Sequence, residues 1–193
     1  LNSGSDSPFD WVVGAAYARD DYNVRVVWTS FLFQQTNGTF DNDFVTDSYA
    51  VFGEATFPLS DALDATIGAR YTIDDKEFDG DFVANAFNLG VLNGIFPTPV
   101  VPTFTQSDSK TFNLLTGRVA LNWHVTEDAT LYATLARGAK SGGFPDSLNN
   151  AIYGIPDTPY DESTSWNYEA GFKSVLMGGN ANLNIAAFYN DVK

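Results

Sequence analysis

Apolar and polar residues alternate with a period of two along seven stretches of the chain: 9–20, 48–58, 62–74, 111–124, 129–140, 163–175 and 180–193. That period sends successive side chains to opposite faces, so each stretch predicts a β-strand with unlike faces. One face collects Trp11, Val13 and Tyr17, then Tyr49, Val51 and Phe57, then Ile67 and Tyr71. It continues through Val119, Leu121 and Trp123, Leu131 and Leu135, Trp166, Tyr168 and Phe172, and Ile185 and Tyr189. The opposite face is mostly polar and includes Asp64, Arg70, Arg118, Asn122, Glu169, Lys173 and Asn184.

A soluble β-sandwich shows the same alternation, so two further features decide. The first is connection length. Short gaps at Pro58 to Asp61, His124 to Asp128 and Leu176 to Gly179 alternate with long ones at 21–47, 75–110 and 141–162. Transmembrane barrels alternate short periplasmic turns with long extracellular loops, because neighbouring hairpins open to opposite sides. The second is where the aromatics lie. With the short turns at the periplasmic end, the apolar face carries Tyr17, Tyr49, Tyr71, Trp166, Tyr168 and Tyr189 at its outer end, and Trp11, Phe57, Trp123 and Phe172 at its inner end. Small and aliphatic residues lie between. Two aromatic girdles around an aliphatic band match a bilayer, whereas a sandwich core would centre its aromatics.

The fold expected is therefore all-β: an antiparallel transmembrane β-barrel segment, about seven strands of a larger barrel, built as a meander. Arg19 and Arg137 share the parity of the apolar face at its outer end. Either they snorkel to lipopolysaccharide phosphates, or local bulges turn them inward.

Composition narrows function mainly by exclusion. No apolar run approaches the ~18 residues of a membrane helix. Cysteine is absent, so disulfides, thiolate metal sites and Cys nucleophiles are out. A net charge of −14, from 24 acids and 10 bases, argues against nucleic acid as a partner. The lone histidine, His124, falls at a predicted turn and leaves no His-based triad or multi-His metal site. SDSK at 107–110 matches a Ser-x-x-Lys pattern without its companion motifs and reads as chance in a polar loop. The expectation is a non-enzyme with no cofactor and no metal.

Three stretches carry a family resemblance: SYAVFGEATFPLSDALDATIGARYTIDDKEF (48–78), FNLLTGRVALNWHVTEDATLYATLARGAKSGGF (112–144) and STSWNYEAGFKSVLMGGNANLNIAAFYNDVK (163–193), with FDWVVGAAYARDD (9–21) fitting a further strand. They resemble the barrel of TonB-dependent receptors. The resemblance implies an outer-membrane receptor importing a scarce ligand such as an iron–siderophore complex. It also implies coupling to the TonB complex through a plug domain that this stretch lacks, with both ends reading as cuts in a longer chain. The partners implied are outer-membrane lipid, lipopolysaccharide and a small-molecule ligand. Two alternatives stand beside it: a passive porin-like channel and a soluble β-sandwich binding module.

On that reading Asp64, Arg70, Arg118, Asn122, Glu169, Lys173 and Asn184 line the lumen, either as wall polar groups satisfied by plug, water and each other or with a specific role in plug movement. Phe144, Asn149, Asn150 and Tyr153 are candidates for ligand contact in a loop and suit loop packing equally. Loop 82–104 mixes apolar residues with Pro97, Pro99 and Pro102 and either folds inward or packs on its neighbours. The acids of 73–82, Asp74, Asp75, Glu77, Asp79 and Asp81, lack calcium-loop spacing and read as a solvated acidic loop.

Overall fold

The computed structural model describes residues 1–4, 7–30, 35–84, 94, 101–146 and 148–193, the side chains of 28–30, 35–37 and 148–149 excepted. Among these residues, seven antiparallel strands form one sheet in chain order: β1 (Asp10–Ser30), β2 (Gln35–Ser60), β3 (Leu63–Ala84), β4 (Thr103–Thr126), β5 (Ala129–Lys140), β6 (Ser163–Leu176) and β7 (Ala181–Val192). A five-residue helix, α1 (Leu148–Ile152), lies in the β5–β6 connection. The sheet is an open meander with β1 and β7 as its edges.

The register gathers the predicted apolar positions onto a single face. Trp11, Ala55, Ile67, Val119, Leu135, Tyr168 and Tyr189 stand opposite one another in succession, forming one register row across all seven strands. On the strands that leave the short-turn end, this row lies one residue past the start of β1, four past β3, six past β5 and eight past β7. That drift is about 24 Å of strand over about 29 Å of sheet, given rises of ~3.4 Å and spacings of ~4.8 Å. The corresponding tilt is about 40°, within the range that closed barrels require.

Two of the three connections expected to be long loops are instead hairpin arms. Residues 21–30 pair with 35–45, with one register shift between Trp28 and Thr29, and 76–83 pair with 103–110, continuing the lower strands. The alternation persists there, but its sign inverts. Above Arg19 and Asp47 the formerly apolar face carries Asp41, Asp43, Asp75, Glu77, Asp79 and Asp81, while the other face carries Phe40, Phe44, Phe78 and Phe82. SDSK thus lies in β4 rather than in a loop. The acidic segment lies in β3, where Asp75, Asp79 and Asp81 directly face Asp47, Asp43 and Asp41.

The third long connection, 141–162, folds onto the inverted arms. Phe44, Phe78 and Phe144 form one buried cluster, and Phe40, Phe82, Ala84, Ala151 and Ile152 form another with Val101, Phe104 and Tyr153 packed against it. The buried core sits there, beyond the girdles. The barrel-forming half contributes almost nothing to it, since Val51, Ile67, Val119 and Ile185 stay exposed on the apolar face.

The turns are short for local reasons. Ser60 Oγ accepts from the Ala62 amide and Thr126 Oγ1 from the Asp128 amide. The β6–β7 turn uses positive φ at Met177, Gly178 and Gly179, which the two glycines adopt without a Cβ clash. His124, expected in a turn, is a residue of β4 standing opposite Thr130.

Candidate functional site

Below the inversion, the polar face holds every predicted lumen residue on the same side of the sheet. Cross-strand register groups them. Glu54 accepts a two-pronged ion pair from Arg118, both contacts 2.7 Å, reaching across the intervening β3 at Gly68. Gly68 permits this reach, because a Cβ there would meet Glu54 Oε2 at 2.8 Å. Arg70 lies over the Phe52 ring at 5.6 Å and donates to Thr72 Oγ1.

Toward the short-turn end, Asp64 accepts from His124 Nε2 at 2.8 Å while His124 Nδ1 meets the Thr130 hydroxyl at 3.2 Å. Asn122 stands opposite Asp64 in the register. On β5 and β6 the Tyr132 hydroxyl donates to Glu169 at 2.6 Å, and Lys173 caps the same ring at 4.9 Å. Tyr132 can lie flat there because its cross-strand neighbour is Gly171. Asn184 stands opposite Lys173. Glu54 with Arg118, Asp64 with His124 and Glu169 with Tyr132 are thus paired within the sheet. Among the described residues no group of three or more His, Cys, Asp or Glu is placed to hold a metal ion.

Above the inversion, the 141–162 connection forms a strap tied to the inner face at both ends and in the middle. Lys76 donates to the Gly142 carbonyl at 2.8 Å, and Gly143 and Tyr160 exchange backbone hydrogen bonds. Gln106 and Asp157 bond in both directions, at 2.6 and 2.7 Å, and Asn150 donates to the Asp157 carboxylate. Lys110 pairs with Asp161 at 2.7 Å, and that ammonium holds the Asp161 carboxyl below its ordinary range. Asn42, fully buried, donates to Asp146. Tyr22 stacks on Phe44 beside the strap, and burial pushes its phenol above the usual value.

Of the four loop candidates, Phe144 is buried and stacks on Phe78 at 5.4 Å. Tyr153 packs against the Phe40–Phe82 cluster, and Asn150 bonds to Asp157. The Asn149 side chain lies outside the described residues, as do Phe87, Leu89, Val91, Leu92, Ile95, Phe96, Pro97 and Pro99 of the 82–104 loop. Among the described residues of the strap, Ile155 and Tyr160 present half-exposed apolar surface. Parity alone also places Glu54, Tyr132 and His124 on the polar face. Gln106, Asn42 and Lys76 fall in stretches whose composition reads as loop but which the structure pairs as strands.

On the apolar face the girdle residues meet across strands. Tyr17 and Tyr49 are directly paired, with rings 5.2 Å apart and the Tyr17 hydroxyl donating to Asp47. Tyr168 and Tyr189 pair at 6.3 Å, and the Tyr71 hydroxyl reaches Asn113. At the other end Phe9 packs on Phe57 at 4.7 Å. Trp11, Trp123, Trp166 and Phe172 share this face by register. Arg19 and Arg137 stay on it without a bulge, since the register shifts only between Trp28 and Thr29, Pro58 and Ser60, and His124 and Thr126.

Comparison with known proteins agrees with this geometry. The protein family described as TonB dependent receptor-like, beta-barrel, matches residues 1–193. Among solved structures, the ferric yersiniabactin uptake receptor FyuA from Yersinia pestis aligns with a TM-score of 0.80 at 17% identity, over 99% of this chain and 27% of that one. The ferric-catecholate import receptor Fiu from E. coli K12, in its open form, aligns at 0.68 with 17% identity, over 95% and 27%. The alcaligin outer membrane receptor FauA from Bordetella pertussis aligns at 0.52 with 12% identity, over 96% and 30%. The chain thus spans less than a third of the length of these receptors, and identities this low establish a shared fold.

Proposed function

This chain belongs to the TonB-dependent receptor β-barrel family, and from that premise we propose that it forms part of the wall and outer vestibule of an outer-membrane receptor. The receptor imports a scarce small-molecule ligand of the iron–siderophore kind. A plug domain encoded outside these 193 residues closes the lumen and couples to the TonB complex.

The observation that carries the reading is the sign inversion along β1–β4. Below it, the outward face is apolar and girdled while the inward face is charged, as for a wall between lipid and water. Above it, the outward face is acidic and the inward face packs the strap, as for an arm standing in water with a filled interior. A β-sandwich has no use for the exposed apolar face, because a soluble protein rarely leaves so large a patch uncovered. The ligand class is carried over from the family and from the ferric yersiniabactin uptake and ferric-catecholate import named for FyuA and Fiu. The lumen charges serve the reading as wall and plug contacts.

The test is uptake by the organism's own receptor. Deleting the parent gene should abolish TonB-dependent accumulation of at least one radiolabelled ferric siderophore under iron restriction, with re-expression restoring it. Accumulation unaffected by the deletion across hydroxamate, catecholate and phenolate chelates would remove siderophores from the reading. Ungated conductance of the purified parent in planar bilayers would favour a passive channel instead.

A further inference from the structure

The sheet forks at the outer girdle. The β4–β5 pairing ends at Gly117 opposite Arg137, and above that point β4 follows β3 while β5 follows β6. The upper part of β4, residues 103–116, therefore has β3 on one side and, among the described residues, no strand on the other. At β1 and β7 the other strands of a larger barrel have room to pair. The free side of β4 differs from both, because its neighbour in the wall is β5 and β5 has already turned away.

Three contacts fix which backbone groups face that side. His124 donates its amide to the Ala62 carbonyl just ahead of β3, whereas the Leu115 carbonyl accepts from Arg137 of β5. Even-numbered residues of β4 thus turn their N–H and C=O toward β3 and odd-numbered ones toward β5, with no register shift along the β3–β4 pairing. Above the fork Thr105, Ser107, Ser109, Thr111 and Asn113 aim theirs at open space. The Ser109 amide agrees, held at 2.8 Å by the neighbouring Asp108 carboxylate rather than by a strand. The short exposed side chains of Thr105, Ser107, Ser109 and Thr111 stand directly opposite Asp81, Asp79, Glu77 and Asp75 of β3. Thr111 bonds Asp75, but Glu77, Asp79 and Asp81 join no ion pair among the described residues.

We propose that this free edge is a docking site for a soluble extended cationic peptide, which adds to β4 as a further strand with Lys or Arg at alternate positions. A row of unpaired N–H and C=O groups is a template for strand addition, in which the main chain supplies affinity and every second side chain supplies specificity. Charge selects the partner. Residues of an added strand opposite Thr105, Ser107 and Ser109 share the outward face, and a long cationic side chain there crosses β4 to reach Asp81, Asp79 and Glu77. The wall already contains that geometry, since Arg118 crosses β3 at Gly68 to reach Glu54. An acidic strand meets like charge at the same positions. Such docking is separate from ligand import and requires only that the arms stand in water.

The test is fluorescence anisotropy of the intact receptor in detergent with a dye-labelled peptide of alternating Lys and Thr, about nine residues long, within the usual range of strand lengths. The wild type should bind it at least about tenfold more tightly than a peptide of the same composition with its lysines in one block, and than the alternating peptide N-methylated at every residue. Ser107→Pro removes a donor from the free side while sparing the β3 pairing, and should weaken binding at least about threefold. Glu77→Gln combined with Asp79→Asn should weaken it by about threefold to tenfold at low salt, and Asp43→Asn, one strand further away, should leave it unchanged. Heat-modifiable migration in SDS gels verifies that each variant is a folded barrel, and siderophore uptake is read separately. Equal binding of the alternating and block peptides by the wild type overturns the proposal, as does binding that survives N-methylation or is undiminished in folded Ser107→Pro. A receptor that dimerises in detergent, and becomes monomeric as folded Ser107→Pro, would assign the edge to a second copy and overturn it too.

Discussion

Phe144 offers the sharpest test of whether the strap is part of the wall or a free loop. Its ring is buried between the strap and Phe78, and Phe78, 2% exposed, leans in turn on Phe44 at 5.1 Å. Removing a buried Phe ring to Ala costs about 3–5 kcal/mol when the cavity cannot collapse. Here the floor of the cavity belongs to paired strands and will not move. The strap itself can lift, so the loss falls on local opening rather than on the barrel. With 1.4 kcal/mol per factor of ten, Phe144→Ala should raise the open population of the strap about a hundredfold or more. Hydrogen exchange followed by mass spectrometry in the intact receptor reads this at the Gly143 and Tyr160 amides, each bonded to the other's carbonyl. Their exchange should accelerate by that factor while the β5 and β6 amides keep wild-type rates, and Phe144→Leu should recover most of the protection. Unchanged exchange at both amides would refute the packing argument. Equal acceleration throughout β5 and β6 would show that strap and barrel open as one unit.

Three further outcomes follow from the same geometry. Asp161 is held below its ordinary range by Lys110, so its contribution to docking is complete above the unfolded carboxylate pKa and lost as pH falls through the folded one. Exchange of 157–162, corrected for its intrinsic pH dependence, should rise in that acidic window for wild type and stay flat there for Asp161→Asn. The directly opposed pairs Asp41–Asp81, Asp43–Asp79 and Asp47–Asp75 repel, so protection of these arm amides should increase from low to moderate NaCl; no salt response would mean the repulsion is already screened. Gly171→Val would drive a side chain into the Tyr132 ring, which an added Cβ already meets at 2.5 Å, at a cost of about 1–3 kcal/mol. Its heat-modifiability midpoint should fall, whereas a change at Gly178, open to solvent on that measure, should act only through its positive φ.

The barrel half was legible because its two solvents differ. Lipid on one side and water on the other impose the alternation residue by residue, and Trp11, Val51, Ile67 and Tyr189 declare their face without any knowledge of their neighbours. Register followed, since a slip of one residue would turn every such side chain to the wrong solvent. Lumen candidates such as Arg118 and Glu169 were found by parity alone. Their partners needed the sheet: Glu54 meets Arg118 across an intervening strand, a relation set by cross-strand pairing and by the absence of a side chain at Gly68.

The arms were misread because their alternation has the opposite sign. Phe40, Phe44, Phe78 and Phe82 recur with the same period as the girdles but on the other face, and the acids between them look like loop composition. What covers those rings is the strap, a segment far from them in the chain. A contact such as Gln106–Asp157 or Phe78–Phe144 links residues far apart in the chain through a surface that exists only once the strands are assembled. Arg19 and Arg137 show the same division. Local pattern put both on the outer face at girdle height. Only the pairing of β1 with β2 gave one of them Asp47, and only the parting of β4 from β5 left the other without an acid among the described residues, because a strand fork is a property of three chain segments and of none alone.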